Sequence, residues 1–209
     1  MVLHPQPIPD TQELKELVAR RSQIVEMISA EKSRLKAAHQ GLIKQDIQIH
    51  ITWLQKRLLD VDKELIQAID DNPGLREKAK LLRSTPGVGP IMTAALLTQL
   101  PELGTLNRHE VAALAGVAPF NRDSGRMRGK RTVWGGRASI RGVLYMSALV
   151  ATRYNPTIRV FYQRLCAEGK AKKVAITACM RKLLIILNSM IKHKTLWQRS
   201  PSLLVVTCH

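Results

Sequence analysis

From Thr11 onward, apolar residues recur at three- and four-residue steps with charges between them: Leu14, Leu17, Val18, Ile24, Val25, Ile28 and Leu35. Side chains three and four apart share one face of a helix, so the spacing predicts one amphipathic helix. The stretch "HQGLIK" around Gly41 interrupts it. Beyond the interruption Ile47, Ile51, Leu54, Leu58, Val61, Leu65 and Ala68 alternate steps of four and three, the heptad seam of a coiled coil. The pattern serves two structures equally: a helical hairpin closed within one chain, or a coiled coil between chains that sets oligomeric state. "DDNPG" at 70–74 ends this second helix through its Pro and Gly.

Further along, the period stays helical. "LLRSTPGVGPIMTAALLTQLPELG" at 81–104 has helical apolar spacing on both sides of Gly87-Val88-Gly89, which predicts a helix-hairpin-helix-like turn. "NRHEVAALAGVAPF" predicts a short helix closed by Gly116. "RASIRGVLYMSALVATRYNP" predicts a helix ended by Asn155-Pro156, "TIRVFYQRLCAEGK" one ended by Gly169, and "KKVAITACMRKLLIILNSMIKH" the last and most apolar. At the start Pro5, Pro7 and Pro9 read as an extended linker, and the tail "RSPSLLVVTCH" carries no interpretable pattern. The expected fold is all-α: a Pro-rich linker over 1–12, a helical hairpin or coiled coil over 13–72, a compact helical domain over 78–198 and a tail over 199–209.

Composition agrees with this picture and adds a partner. An apolar share of 45% suffices for a core, and an aromatic share of 4% fits a helical chain with no large sheet. The net charge of +17 is unevenly placed. Residues 1–80 hold 13 Lys/Arg and 12 Asp/Glu, whereas residues 81–209 hold 20 Lys/Arg against Glu102, Glu110, Asp123 and Glu168. A segment so basic repels itself unless a polyanion neutralises it, which points to nucleic acid over a membrane surface. Cys166, Cys179 and Cys208 lack CxxC spacing and an even count, so reduced, buried thiols are expected rather than a disulfide framework or zinc site. The apolar run "LLIIL" at 183–187 falls short of a membrane span, which needs about 18 residues. "MVLHPQPIPD" lacks a signal peptide's charged start and apolar stretch, so the expected location is the cytoplasm, with no membrane partner.

The densest candidate chemistry lies in "NRDSGRMRGKRTVWGGR" at 121–137. Ser124 stands before Gly125, and Arg122, Arg126, Arg128, Lys130, Arg131, Arg137 and Arg141 could surround a phosphate it attacks; the arginine fork donates two hydrogen bonds to a phosphate and keeps its charge. Serine needs a base or a metal to act, and the nearest histidine in sequence is His109, so on the residues alone Ser124 is either a loop hydroxyl or a nucleophile. Gly87 and Gly89 have two readings as well: a tight interhelical turn, or a turn whose backbone approaches a phosphate. Trp134 either stacks on a base or packs on a helix; Tyr145 and Tyr154 either donate to phosphate or pack. Lys170, Lys172 and Lys173 either contact nucleic acid or cap helix ends, and Met146, Met180 and Met190 are expected in the core. The sequence contains no H-E-x-x-H, Walker loop or G-x-S-x-G.

From Leu81 to Trp197 the motifs "LLRSTPGVGP", "LLTQLPELGTL", "AALAGVAPFNRDSGRMRGKR", "WGGRASIRGVLYMSALVATRYNP" and "FYQRLCAEGKAKKVAITACMRKLLIILNSM" closely resemble, in unbroken order, the C-terminal transposase domain of the bacterial insertion-sequence-110 family. The helical region before them is similar to that family's coiled-coil linker. The resemblance implies a DNA recombinase active in transposition, with Ser124 of "RDSG" as a nucleophile forming a covalent phosphoserine link. It also implies basic neighbours in contact with DNA or RNA, an element-encoded guide RNA, and a homo-oligomer formed through residues 13–72. In the family, a RuvC-like domain holds magnesium on four acidic residues. No such domain is recognisable here, so no cofactor is expected in this chain, and magnesium is expected only with that domain. A truncated remnant or one piece of a split enzyme, binding nucleic acid without cutting it, is the resulting expectation. Its rivals are a non-catalytic helix-hairpin-helix nucleic-acid-binding module and a coiled-coil interaction protein.

Overall fold

The computed structural model describes residues 9–120, 132, 133 and 135–198. The chain divides into two units, one running to Arg76 and one starting at Glu77.

The first unit is a helical hairpin, α1 (Pro9–Ala37) and α2 (Gly41–Asp71), which pack on each other. Helix α1 begins at Pro9, so residues 9–12 are helical where a linker was expected. Proline at a first helical position loses no hydrogen bond, and its φ already suits the helix. Leu14, Val18, Ile24 and Ile28 of α1 and Ile51, Leu54, Val61 and Leu65 of α2 are buried. The heptad seam is therefore used within the chain. Cross-pairs fix the antiparallel register: the Arg21 Nε donates to Asp62 at 2.6 Å, and buried Glu31, held within α1 by Arg34 at 2.7 Å, meets the His50 ring at 3.2 Å. On the other side of α2, Leu42, Ile49 and Trp53 are exposed.

"DDNPG" both ends α2 and starts α3 (Pro73–Arg83), because the Asn72 side chain accepts from the Leu75 amide at 3.1 Å. The second unit continues through α4 (Pro90–Gln99), α5 (Arg108–Leu114), α6 (Ala138–Tyr154), α7 (Pro156–Ala167) and α8 (Lys172–His193). Helix α6 packs on α4, α7 and α8, and α8 packs also on α5 and α7. These contacts bury Ile140, Leu144, Ala148 and Ala151 of α6 and Ala175, Ile176, Met180, Leu183, Leu184, Ile186, Leu187 and Met190 of α8. Helix α8 is long and apolar enough to cross a membrane by length and composition, yet its apolar stripe forms this core. Met180 and Met190 are buried, but Met146 is exposed, because it lies on the face of α6 away from Leu144 and Ala148.

Two asparagines inside the unit hold loops against these helices. Asn188 on α8 accepts from the Gly104 amide at 2.7 Å and donates to the Leu106 carbonyl at 2.8 Å. Asn155, fully buried, donates to the Pro86 carbonyl at 3.2 Å and caps α7 through the Ile158 amide. A buried amide that satisfies loop backbone on both sides fixes the loop, since an unpaired backbone group in the core costs about 1–3 kcal/mol. Among the described residues the remaining regular structure is one antiparallel pair, β1 (Pro119–Phe120) and β2 (Thr132–Val133), so the fold is all-α.

Candidate nucleic-acid interface

The arginine-rich segment is joined to the core through a short ribbon. Pro119 pairs with Val133 and Phe120 with Thr132. Below the ribbon, α5 ends in a Schellman motif: Gly116 takes φ +65°, its amide donates to Ala113 at 2.9 Å, and the Val117 amide donates to Ala112 at 2.8 Å. The returning chain closes on that corner. The Arg137 amide donates to the Leu114 carbonyl at 2.9 Å, and Gly136, at φ +66°, lies with its Cα against the Gly116 backbone. A side chain at either glycine would occupy the other strand's backbone. The ribbon base is thus a close backbone contact that two glycines permit.

Arg137 forms the second fastening. Its guanidinium makes a two-pronged pair with Glu102, at 2.9 and 2.7 Å, and also donates to the Gln99 carbonyl at the end of α4. The hydrogen bonds that it donates to Glu102 hold the Arg137 pKa above its ordinary value. Ser139 adds a 2.8 Å bond to the Gln99 side chain, and Arg141 donates to the Gly135 carbonyl. Both candidate arginines described here, Arg137 and Arg141, therefore hold the ribbon base, and the charge of Arg137 is neutralised locally. Because the pair is more than a third exposed, its contribution is modest. We expect Glu102→Gln to lower stability by about 1 kcal/mol while leaving the salt dependence of nucleic-acid binding unchanged, read by thermal melting and by titration at several salt concentrations.

The glycine turn between α3 and α4 separates its two glycines by environment. Gly87 has φ +97°, and a Cβ there would sit 2.8–2.9 Å from the backbone and side chain of Ala151 on α6. Its small size is required by packing. Gly89, the residue before α4, is exposed, has an extended backbone, and would meet nothing within 4 Å. Of the two, Gly89 faces open space.

Three described acidic side chains of the basic segment are engaged. Glu102 holds Arg137, Glu110 closes the capping box with Asn107 at the start of α5, and Glu168 pairs with Arg164 at 3.6 Å. Among the described residues no group of three His, Cys, Asp or Glu converges to hold a metal. Cys166 is half-buried, and burial pushes the Cys179 thiol up to about 11, so it stays protonated and unreactive near neutrality. Tyr145 is half-buried and Tyr154 is 70% exposed beside the α6–α7 corner.

Ser124, Arg122, Arg126, Arg128, Lys130 and Arg131, together with Trp134, lie outside the described residues. What the sequence reading missed is the framework on either side of them: the ribbon, the Gly116–Gly136 contact and the Glu102–Arg137 pair. The near-mirror stretches "GVAPF" and "TVWGG", each with glycine at its outer end and apolar residues inside, carried the signal for the ribbon.

Comparison with known proteins gives this framework a family. Residues 79–163 match the family described as Transposase IS116/IS110/IS902. The chain is 32% identical over 140 residues to the pilin gene-inverting protein of Moraxella bovis, covering 65% of this chain and 43% of that one. It is 32% identical over 151 residues to the 42 kDa protein of insertion element IS900 from Mycobacterium paratuberculosis, covering 68% and 37%. With the 44.8 kDa protein of insertion element IS116 from Streptomyces clavuligerus it is 27% identical over 194 residues, 92% of this chain and 46% of the relative. The chain thus spans less than half the length of each of these relatives. Residues 79–163 thus carry the sequence pattern of the IS116/IS110/IS902 family of insertion-sequence transposases.

Proposed function

We propose that this chain is the DNA-engaging part of a transposase, acting in DNA transposition and recombination, with Ser124 as its nucleophile. The observation that carries the reading is the anchored ribbon: the segment bearing Ser124 and five of the candidate cations is joined at both ends to backbone that Gly116, Gly136 and Arg137 lock to the helical core. A nucleophile needs such support, because misplacement by an ångström costs about 100-fold in rate. The family match over residues 79–163, and the relative named for inverting a pilin gene, support recombination of DNA.

In this reading the Ser124 Oγ attacks a phosphodiester phosphorus. The Oγ–P bond forms as one P–O bond of the strand breaks, the hydroxyl proton passes to a base, and the departing sugar oxygen takes up a proton. The exchange is a transesterification, balanced without a redox partner. Arg122, Arg126, Arg128, Lys130 and Arg131 would hold the phosphoryl oxygens. The family resemblance assigns magnesium to a RuvC-like domain; the described carboxylates do not converge to fit that ion. An element-encoded guide RNA is a further proposed partner of the basic unit. Homo-oligomerisation through residues 13–72 has to use a face other than the buried seam, and the exposed Leu42, Ile49 and Trp53 stripe of α2 offers one.

A second reading, a nucleic-acid-binding module without chemistry of its own, is favoured by one observation: Glu102, Glu110 and Glu168 already have partners. Both readings predict steeply salt-dependent binding to duplex DNA. Replacing Arg126, Arg128 and Arg131 by alanine is expected to flatten the slope of log K against log salt by about 2.7, at roughly 0.9 per phosphate contact. An unchanged slope would remove the ribbon arginines from the interface. Covalent capture of DNA by Ser124 separates the two readings.

A further inference from the structure

The α7–α8 elbow lies apart in sequence from the ribbon and is built differently. Helix α7 ends in a Schellman motif, with Gly169 at φ +77°, its amide donating to Cys166 and the Lys170 amide donating to Leu165, both at 3.0 Å. This corner turns the chain sharply and presents Lys170, Lys172 and Lys173 to solvent. Farther along the same helix pair, the Phe161 ring carries two cations: the Lys182 ammonium 4.6 Å and the Arg164 guanidinium 5.3 Å from its centre. The ring face is electron-rich, so both charges are seated there instead of sweeping through solvent. From 159 to 182 the sequence carries Arg159, Arg164, Lys170, Lys172, Lys173, Arg181 and Lys182 against the single acid Glu168, whose partner is Arg164.

Spacing turns these charges into a track. Lys172 and Lys182 are ten residues apart on one helix, about 15 Å along its axis and roughly a quarter turn apart around it. At 3.4 Å per nucleotide, that length covers about four phosphates of one duplex strand. Seated cations at one end and corner lysines at the other suit a periodic polyanion. An anionic membrane is a poorer fit, since the large apolar side chains of α8, Leu183, Leu184 and Leu187, are buried in the core and cannot enter lipid.

We infer that the α7–α8 elbow, through Lys170, Lys172 and Lys182 with Arg164 beside them, is a second nucleic-acid site that grips the phosphodiester backbone without reading bases. It holds a stretch of DNA or RNA away from the ribbon, and it rests on the reading that this chain binds nucleic acid.

The test uses the full 209-residue chain and labelled nucleic acids of mixed sequence, a DNA duplex and an RNA hairpin, titrated by fluorescence anisotropy across a salt series. The variant is Lys170→Gln, Lys172→Gln and Lys182→Gln together; a matched variant carries arginine at all three positions. On duplex DNA the glutamine variant is expected to lose about 2.7 from the salt slope, so that between about 50 and 200 mM salt the unaltered chain weakens about 40-fold more than the variant does. The arginine variant keeps the slope. A change on DNA, on RNA or on both supports the site and identifies which strand it holds. An unchanged slope on both overturns it, as does an unchanged slope accompanied by lost binding to phosphatidylserine vesicles. The variant with alanine at Arg126, Arg128 and Arg131 runs in parallel, so a failed elbow and a failed ribbon are read separately. Unchanged thermal midpoints show that each variant is folded.

Discussion

Replacing Ser124 by alanine abolishes covalent capture of DNA and leaves binding nearly intact. That is the expected result for a transposase containing this chain, incubated with element-end DNA, magnesium and the element's RNA, and resolved on a denaturing gel. Alanine removes the one atom that forms the bond to phosphorus, so adduct formation falls by about 1000-fold or more, below detection. Affinity changes by less than about tenfold, since the hydroxyl contributes at most one neutral hydrogen bond to it. An adduct of undiminished intensity in Ser124→Ala would sink the assignment of the nucleophile while leaving the basic interface standing.

The same gel examines where the base resides. In the basic unit Glu102 gives both oxygens to Arg137, Glu110 caps α5 and Glu168 meets Arg164. A carboxylate already holding a cation or a helix amide is a poor proton acceptor, because the partner stabilises its charged form. The 209-residue chain supplied with magnesium alone is therefore expected to bind DNA without becoming attached to it. A serine-dependent adduct from that chain would place the activating group within residues 1–209.

Helices were legible in the sequence wherever local chemistry decides them. The apolar stretch beginning at Lys172 is α8 from Lys172 to His193, and Asn155-Pro156 separates α6 from α7, since asparagine caps the next helix and proline suits its first position. The break near Gly41 divides α1 from α2. Features that depend on residues distant in sequence were not legible. The heptad seam fitted a partner helix in the same chain or another, because a stripe of Ile and Leu records what it wants to cover and not whose surface supplies it. Arg137 looked like the neighbouring candidate phosphate ligands, since nothing in "GGRASI" points to Glu102, 35 residues earlier. The basic segment was recognisable by charge and by family resemblance, whereas its two-residue strands were too short to show alternation.

The ribbon base yields the largest expected effect on stability. A Cβ at Gly136 would overlap the backbone N and Cα of Gly116 and the Leu114 carbonyl oxygen, and φ +66° is unfavourable for any L side chain. Backbone cannot swing aside as a flexible side chain can, so Gly136→Ala is expected to cost about 3 kcal/mol or more and to lower the thermal midpoint of the unit by roughly 10 °C. Two glycines in the same stretch serve as internal standards. Gly135 has φ +77° but a Cβ there would meet nothing within 4 Å, so Gly135→Ala carries the conformational penalty alone, about 1–2 kcal/mol. Gly142 lies within α6 with open space around it, so Gly142→Ala stabilises the helix by up to about 1 kcal/mol. The difference between Gly136→Ala and Gly135→Ala isolates the backbone contact from the φ penalty. If the two melt together, the Gly116–Gly136 approach does not hold the ribbon. If Gly136→Ala melts far lower, the anchoring on which the Ser124 reading depends is a measured property of the fold.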